Sequence, residues 1–532
     1  MAKQDNLYSN AISYWQLGNF EQAKKTFKKL LKNNSPNAEV LSFIGILDIQ
    51  MGNLNEGVAS LKKAYLIDPT NINIKKNYAN ALVDLSNFQI EHNQISQALI
   101  SLENSIDAFP DNEPAYMNLI KINIKQKNYL KVDEIFNAAL EYLSNNSNLY
   151  FLYGNSLFDQ KKYKEALSMY EKTLEIDKHF AESYFHQALC YEFLGDIETS
   201  LSKYDSCLNI KPGYKLALFN KAQLLLALGN FEEGWNLYQN RWSSKRDIGK
   251  YFFNQTTELK NIDSARNKNI FVWAEQGIGD QILYSSLLSD FKKLAPNLTV
   301  SIDKRLLKIY QKSFNDINFI EHTEHMNPAF DFHLPMGNLG IFTRKNTNDF
   351  INQNNSFLYA DKNMINSFNN KLKNENKKIC GLSWTSKNPF SGDVKSINFK
   401  SLSECLLGKN YRFIDLEYIK QDENTERLKK QLNLDFYDTG EIDKFTDLDS
   451  VSALISCCDI VITVSNSTAH LAGALGIETI LLLPFNHSDG RFWYWSDKEK
   501  SKWYPSIRIL SQQEPGNWSH VIKELDLILS KL

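Results

Sequence analysis

Six cysteines are scattered through this 532-residue chain, at Cys190, Cys207, Cys380, Cys405, Cys457 and Cys458, and no two form a C-x-x-C pair. Their spacing excludes the usual zinc and disulfide frameworks, so a reducing compartment is expected. Long apolar runs are missing too. None approaches the ~18 residues needed to cross a bilayer, and the N-terminal Met-Ala-Lys-Gln-Asp-Asn lacks the apolar core of a signal peptide. The reading is a cytoplasmic protein with no transmembrane segment. Charge of one sign is lacking as well: 60 Lys plus Arg oppose 62 Asp plus Glu. That balance argues against nucleic acid or an anionic membrane as partner, so partners must be sought in local sites.

What is present divides into two halves with different periods. The first 242 residues repeat at about 34, the mark of a helix-pair solenoid. Small residues recur where two helices should touch: Ala11, Gly18, Ala23; Gly45, Gly52, Gly57; Ala188, Gly195, Ser200; Ala222, Gly229, Gly234. Larger side chains follow in phase at Phe27, Leu61, Tyr170, Tyr204 and Tyr238, and Pro69, Pro110 and Pro212 close individual repeats. This pattern resembles the tetratricopeptide repeat, with about seven units at 4–37, 38–71, 72–112, 113–146, 147–180, 181–214 and 215–242. The third carries an insertion near Asn87 to Asn93, read as a loop. Such a stack offers a groove to a protein or peptide partner, or serves only to position the rest of the chain.

Residues 243–267 read as a polar linker. Beyond it, short β-branched and aromatic runs alternate with helical segments: Ile270 to Ala274, Leu298 to Ile302, Phe330 to Leu334, Ile379 to Trp384, Arg412 to Leu416, Ile460 to Val464 and Thr479 to Leu483. These are expected to be buried parallel strands, giving an α/β half of two Rossmann-like lobes at 268–365 and 376–532. The Asn-rich stretch from 361 to 377 is the expected hinge.

Three segments could carry chemistry. The richest is Ile460-Val-Ile-Thr-Val-Ser-Asn-Ser-Thr-Ala-His-Leu-Ala-Gly-Ala-Leu-Gly476, which reads as strand, turn and helix, with cap-capable residues at 465–468 and a stop at Gly476. A helix N-terminus beyond a strand's carboxyl end suits phosphate, and His470 in its first turn can add a donor. The same turn also occurs in α/β proteins that bind nothing there. The second is Ala274-Glu-Gln-Gly-Ile-Gly-Asp280, where Gly277 and Gly279 permit a tight turn and close backbone approach. It lacks the third glycine of a dinucleotide fingerprint. Asp280 is either a general base or a plain helix cap. The third is the loop after Ile379 to Trp384, with Ser386, Lys387 and Lys395 suited to an anion. A carboxylate on one lobe and a phosphate cradle on the other suit removal of an acceptor proton while a nucleoside diphosphate departs.

Together with Gly234-Trp-Asn-Leu-Tyr-Gln-Asn-Arg-Trp242, Gly381-Leu-Ser-Trp384 and Trp503-Tyr-Pro-Ser506, these segments resemble the heptosyltransferase-like family 9 glycosyltransferases, in the version fused behind tetratricopeptide repeats. The resemblance implies a GT-B fold, an inverting mechanism and no metal or cofactor, the nucleotide-sugar being a substrate. It implies that Asp280 is the acceptor-side base, and that Lys395, more than Lys387, contacts donor phosphate with Ser467, Thr468 and His470. Glu275, Gly277, Gly279, Ser386, Ser465, Asn466 and Arg491 are further candidates for donor or acceptor contacts. Many members of that family carry Asp-Thr where this chain has Ser465-Asn466, so heptose is not carried over as the donor sugar. The aromatic run Arg491-Phe-Trp-Tyr-Trp495 with Trp503-Tyr504 either stacks on a sugar or base or, as its large apolar area favours, packs the final helix against the lobes. The acceptor would be a protein or glycan carrier recruited by the repeats. The alternative is a non-catalytic scaffold whose transferase half is degenerate.

Overall fold

The computed structural model describes residues 2–33, 37–243, 257–323, 330–372, 377–388, 392–419, 422–440, 442–485 and 492–531. Two compact units result, Met1–Cys190 and Tyr191–Leu532.

Among the described residues the chain up to Tyr238 forms fourteen helices, from Ala2–Gln16 and Phe20–Asn33 to Lys215–Ala227 and Phe231–Tyr238. The expected glycines turn out to do two different jobs. Gly45 and Gly57 stand at a true helix crossing, where a β-carbon on either would come 2.8 Å from the other's carbonyl oxygen. Gly18, Gly52, Gly195 and Gly229 instead sit in the turns with φ of +75° to +83°. They let the chain reverse after the first helix of each pair rather than letting helices touch. Where that glycine is missing, Asn93, Lys127 and Lys161 take the same left-handed conformation. Helices end at Ile67, Ala108 and Ile210, just before Pro69, Pro110 and Pro212.

The insertion in the third repeat is not a loop. It lengthens the first helix of that pair to Ile72–Glu91, 20 residues where the corresponding helices Ala38–Gln50 and Glu113–Lys125 have 13. The early turns of this long helix meet the preceding pair, through Asn77 Nδ2 to Ser42 Oγ at 3.2 Å and the stacked rings of Tyr65 and Tyr78. Its later turns meet the following pair, through Asn118 Nδ2 to Asn87 Oδ1 at 2.9 Å. Consecutive hairpins are thereby offset along the helix axis, which keeps the inserted residues within the hydrogen-bonded structure.

The second unit contains two all-parallel sheets. Strands β1 (Thr257–Glu258), β2 (Asn269–Trp273), β3 (Asn297–Ile302), β4 (Asn318–Glu321) and β5 (Phe332–Pro335) lie in the order β1-β5-β2-β3-β4. Strands β6 (Lys378–Ser383), β7 (Tyr411–Asp415), β8 (Phe436–Tyr437), β9 (Ile460–Val464), β10 (Thr479–Leu483) and β11 (Ile507–Ser511) lie in the order β11-β10-β9-β6-β7-β8. Renumbered from β6, that order is 6-5-4-1-2-3, the doubly wound arrangement whose connections reverse direction between β6 and β9. In the first sheet the reversal falls between β2 and β5. Loops diverge at such a point and leave a crevice at the strands' carboxyl ends.

All seven expected strands form. Two expectations about connections change. The 243–267 linker supplies edge strand β1 and a 3₁₀ turn at Ile262–Ala265, while 244–256 lie outside the described residues. The proposed hinge is mostly a helix, Lys362–Leu372, whose Ile365 carbonyl accepts from Sγ of Cys457, the C-cap of helix Leu448–Ser456.

Candidate functional site

The second unit contains a cavity of about 320 Å³, with walls from both sheets' carboxyl ends. Helix Ile278–Ser285 follows β2 and brings Gly277, Gly279 and Asp280 to it; helix Ser467–Leu475 follows β9 and brings Ser467 and His470. The loop after β6 contributes Ser386 and Lys387, and the one-turn helix Gly392–Lys395 contributes Lys395. Lys395 and Ser467 converge because β6 and β9 are neighbours, with Cys380 opposite Ile460, while Asp280, from the other sheet, is brought in by the close approach of Gly279 to His470.

Asp280 is neither the helix start nor its N-cap. Gly277 caps the helix, and Asp280, three residues on, returns its carboxylate to the Gly277 amide at 3.2 Å. The one left-handed residue of this turn is Gln276, with φ +61°. Gly279 is needed for a close approach: a β-carbon there would lie 2.9 Å from His470 Cδ2. Desolvation pushes the Asp280 carboxyl up to about 6, with the charge of Glu275 adding to it and the Gly277 amide and Lys395 opposing it. The carboxyl keeps partial solvent access through the cavity. It is therefore a base at neutral pH and a readily protonated one.

Lys395 is buried at 6% exposure, and burial lowers its ammonium to about 8, against the pull of Asp280. Its Nζ lies 4.0 Å from the centre of the Phe492 ring and has no hydrogen-bond or ion-pair partner among the described residues. A buried ammonium held only by a ring face is poised for an anion. Lys387 is exposed; its amide donates to the Tyr418 hydroxyl at 3.1 Å. The Ser386 amide donates to Ser396 Oγ at 3.0 Å.

The strand-to-helix junction departs from a free phosphate cradle. Asn466 is the N-cap, and its Oδ1 accepts from the amides of Thr468 at 3.0 Å and Ala469 at 3.3 Å. Its Nδ2 is spent on Ser383 Oγ at 2.8 Å and the Thr385 carbonyl at 2.9 Å. Two of the helix's leading amides are thus already satisfied, and the end offers a ligand Ser467 and His470 instead of four free N–H groups. Thr468 is buried and does not reach the cavity wall. Ser465, though at the wall, accepts from Trp495 Nε1 at 3.1 Å. His470 Nδ1 is engaged with the Tyr504 hydroxyl at 2.9 Å, leaving Nε2 as the nitrogen available to a ligand. Burial and then the nearby Lys395 lower this imidazole to about 3, so it acts as a neutral group.

Glu275 is a structural residue, not a ligand contact. Its carboxylate and the Arg241 guanidinium pair through two hydrogen bonds of 2.7 Å, both side chains fully buried, and Glu275 also accepts from the Gly337 amide at 2.6 Å. Arg241 further donates to Asn338 Oδ1 at 2.8 Å. The Gly234 to Trp242 motif finds its reason here and at Trp235, which fills the space a side chain at Gly340 would need and donates to the Arg344 carbonyl at 2.9 Å. The aromatic run does not seat the final helix. Trp493 packs on Trp235 and Trp495 on His470, whereas helix Ser519–Leu529 packs in a separate core with Trp384 and Phe399. Arg491 lies outside the described residues.

The aromatic run does bring one ring to the cavity, and further wall residues carry no expectation from the sequence. Tyr494 faces the cavity with its ring 5.2 Å from that of His470. Arg305, Tyr418, Lys444 and Phe445 complete the far side. Behind it Glu417 secures the turn after β6, accepting from Ser383 Oγ at 3.1 Å and the Thr385 amide at 2.8 Å, as well as from Trp384 N and Thr385 Oγ1. Glu417 and Tyr418 directly follow an expected strand end, a place where ligand residues gather, and that was the available signal. Arg305 carried none. Among the described residues the wall has four cationic side chains, Arg305, Lys387, Lys395 and Lys444, against one carboxylate, Asp280.

A helical-repeat region joined to a parallel-sheet α/β unit with a cationic cleft is the class of protein these features define. Residues 7–37, 147–180 and 181–214 match the tetratricopeptide repeat. The chain is 24% identical over 536 residues to protein FlbA of Caulobacter vibrioides, covering 96% of this chain and 87% of that protein. It is 24% identical over 166 residues to the TPR repeat-containing protein YpiA of Bacillus subtilis, covering 31% of this chain and 37% of that one. Among solved structures, YrrB, a TPR protein with an unusual peptide-binding site, aligns with 37% of this chain and 97% of its own at 20% identity and a TM-score of 0.30. No helix among the described residues is long and apolar enough to cross a membrane.

Proposed function

We propose that the 191–532 unit is a glycosyltransferase of GT-B type, transferring a sugar from a nucleotide-sugar to an acceptor with inversion and without a metal. One observation carries the reading: Asp280, from the first sheet, and Lys395, Ser467 and His470, from the second, line one cavity at the two sheets' reversal points. Asp280 takes the proton of the acceptor hydroxyl as its oxygen attacks the anomeric carbon. The bond from that carbon to the diphosphate oxygen breaks on the opposite face. Lys395 and Lys387 meet the charge of the leaving diphosphate, with Ser467 and His470 Nε2 as neutral hydrogen-bonding groups. Fixed donors of this kind commonly contribute about 3 kcal/mol each to the barrier. The helical repeats then recruit the acceptor, a protein or glycan carrier, to the transferase.

A second reading rests on Asn466. Its amide is committed to the fold on both sides, and the preceding Ser465 stands where the resembled family carries an aspartate, which fits a repeat scaffold with a silent transferase half. Incubation with a panel of nucleotide-sugars, measuring nucleoside diphosphate release, separates the two. Release by the parent protein that Asp280→Asn abolishes supports the enzyme. A parent protein that neither binds nor cleaves any donor leaves the scaffold.

A further inference from the structure

Phe445 stands at the cavity wall yet is 53% exposed. Single exposed aromatics are common on protein surfaces, but this one is held in place. The Arg305 guanidinium lies 4.7 Å from the ring centre, and its Nη1 donates to the Phe445 carbonyl at 3.3 Å. Asp303 fixes the same guanidinium through two bonds of 2.8 and 2.9 Å. Tyr418 stands 6.5 Å from Phe445, with the ring planes 39° apart. Its hydroxyl, accepting from the Lys387 amide at 3.1 Å, ties this aromatic pair to the loop that supplies the cavity's anion-seeking residues.

We infer that Tyr418 and Phe445 form the subsite for the nucleobase of a nucleoside diphosphate whose phosphates lie at Lys395, Ser467 and His470. This rests on the transferase reading above. The cavity has two chemically different ends. At one, Asp280 is close enough to Lys395 for each charge to shift the other's titration, and the rings of His470 and Tyr494 are neighbours. Tyr418 follows β7 and Arg305 follows β3, the strands next to β6 and β2, and with Phe445 between them they make the other end. A nucleotide-sugar is also two-ended, with a flat π system on one side of the diphosphate and a hydroxylated sugar on the other. Placing the base on the aromatic pair gives it ring faces to stack on, puts the diphosphate beside Lys387 and Lys395, and sets the anomeric carbon toward Asp280. The reverse orientation sets the base against Asp280, the one carboxylate of the wall among the described residues, and takes the sugar away from the base catalyst.

Calorimetric titration of the full chain with inorganic pyrophosphate and with UDP, ADP, GDP and CDP tests this. Phe445→Ala should weaken the preferred nucleoside diphosphate about tenfold, within the range of one base–aromatic stack, and leave pyrophosphate binding unchanged. Phe445→Trp should retain the nucleotide, and Lys395→Met should weaken both ligands. Because Phe445 is exposed, an unchanged melting temperature is expected and certifies the variant. If Phe445→Ala weakens pyrophosphate and nucleotide alike, or neither, the subsite is wrong while nucleotide binding stands. If the parent protein binds none of the nucleotides, the subsite falls together with the transferase reading.

Discussion

Gly279 and His470 belong to helices that follow strands of different sheets, and they approach so closely that a β-carbon on the glycine would lie 2.9 Å from the imidazole Cδ2 and 3.4 Å from Nε2. The contact fixes the distance between the Asp280 turn and the Ser467 helix end. Trp495 and Tyr504 lie against the imidazole ring at centroid distances of 5.0 and 5.7 Å, so a shift of His470 also disturbs this packing.

Gly279→Ala should therefore push His470 away from the cavity without unfolding the protein. Pyrophosphate and nucleotide binding are expected to weaken about tenfold, the equivalent of one neutral hydrogen bond lost or misaligned. Titration calorimetry beside a melting curve checks this; unchanged affinity would show that His470 makes no contact with the ligand.

The titration of Asp280 and Lys395 sets a pH profile. Burial raises the carboxyl to about 6, so the basic form, and with it the rate, grows as pH rises through that value. Burial lowers the ammonium to about 8, so the charge that meets the diphosphate is lost as pH rises through that value. Plotted against pH, kcat/KM should be a bell with flanks near these values. In Lys395→Arg the guanidinium stays charged and the alkaline flank should move beyond pH 9 or so; a flank that stays near 8 would assign it to another group.

The strands that were legible in the sequence are those buried on both faces, such as β9 and β10, where every residue is apolar or Thr and all are buried. Those that were missed are short or lie at edges: β8 has two residues, β4 is Asn-Phe-Ile-Glu, and β11 carries an exposed Arg508 at its second position. Asp280 and His470 were legible because each lies six or seven residues past a strand's carboxyl end, and Lys395, twelve past β6, because the family resemblance points to it. Tyr418 and Phe445 were not paired, because nothing local says that chain segments 27 residues apart will bring their rings within 6.5 Å. Glu275 misled for the same reason: its position beside the Gly-rich turn suggests a ligand, while its partner, Arg241, lies 34 residues earlier.

The two kinds of glycine in the repeats should respond differently to substitution. In Gly45→Ala the new carbon would sit 2.6 Å from Leu61 Cγ and 2.8 Å from the Gly57 oxygen. Two backbones must then separate, at about 1–3 kcal/mol as for other overpacked cores. In Gly52→Ala nothing lies within 4 Å, and only the left-handed conformation, φ +83°, resists, at about 1 kcal/mol. Gly52→Asn should recover most of that loss, while Gly45→Asn should be worse than Gly45→Ala. Urea unfolding of the full chain, followed by helix signal, ranks the four variants, and an equal effect of the two alanines would contradict the division.

Removing Glu275 should act on stability first. Glu275→Ala strands a fully buried guanidinium and frees the Gly337 amide, a loss of about 3–5 kcal/mol by analogy with other buried pairs broken on one side. Arg241→Met together with Glu275→Leu removes both charges and replaces them with apolar volume, so the double variant should be more stable than Glu275→Ala alone. The comparison also separates support from ligand contact. If the carboxylate only joins helix Phe231–Tyr238 and its 3₁₀ extension to the turn before Asp280, nucleotide affinity in the double variant should return along with the melting temperature. A double variant that melts like the parent protein but no longer binds nucleotide would restore Glu275 to the ligand site.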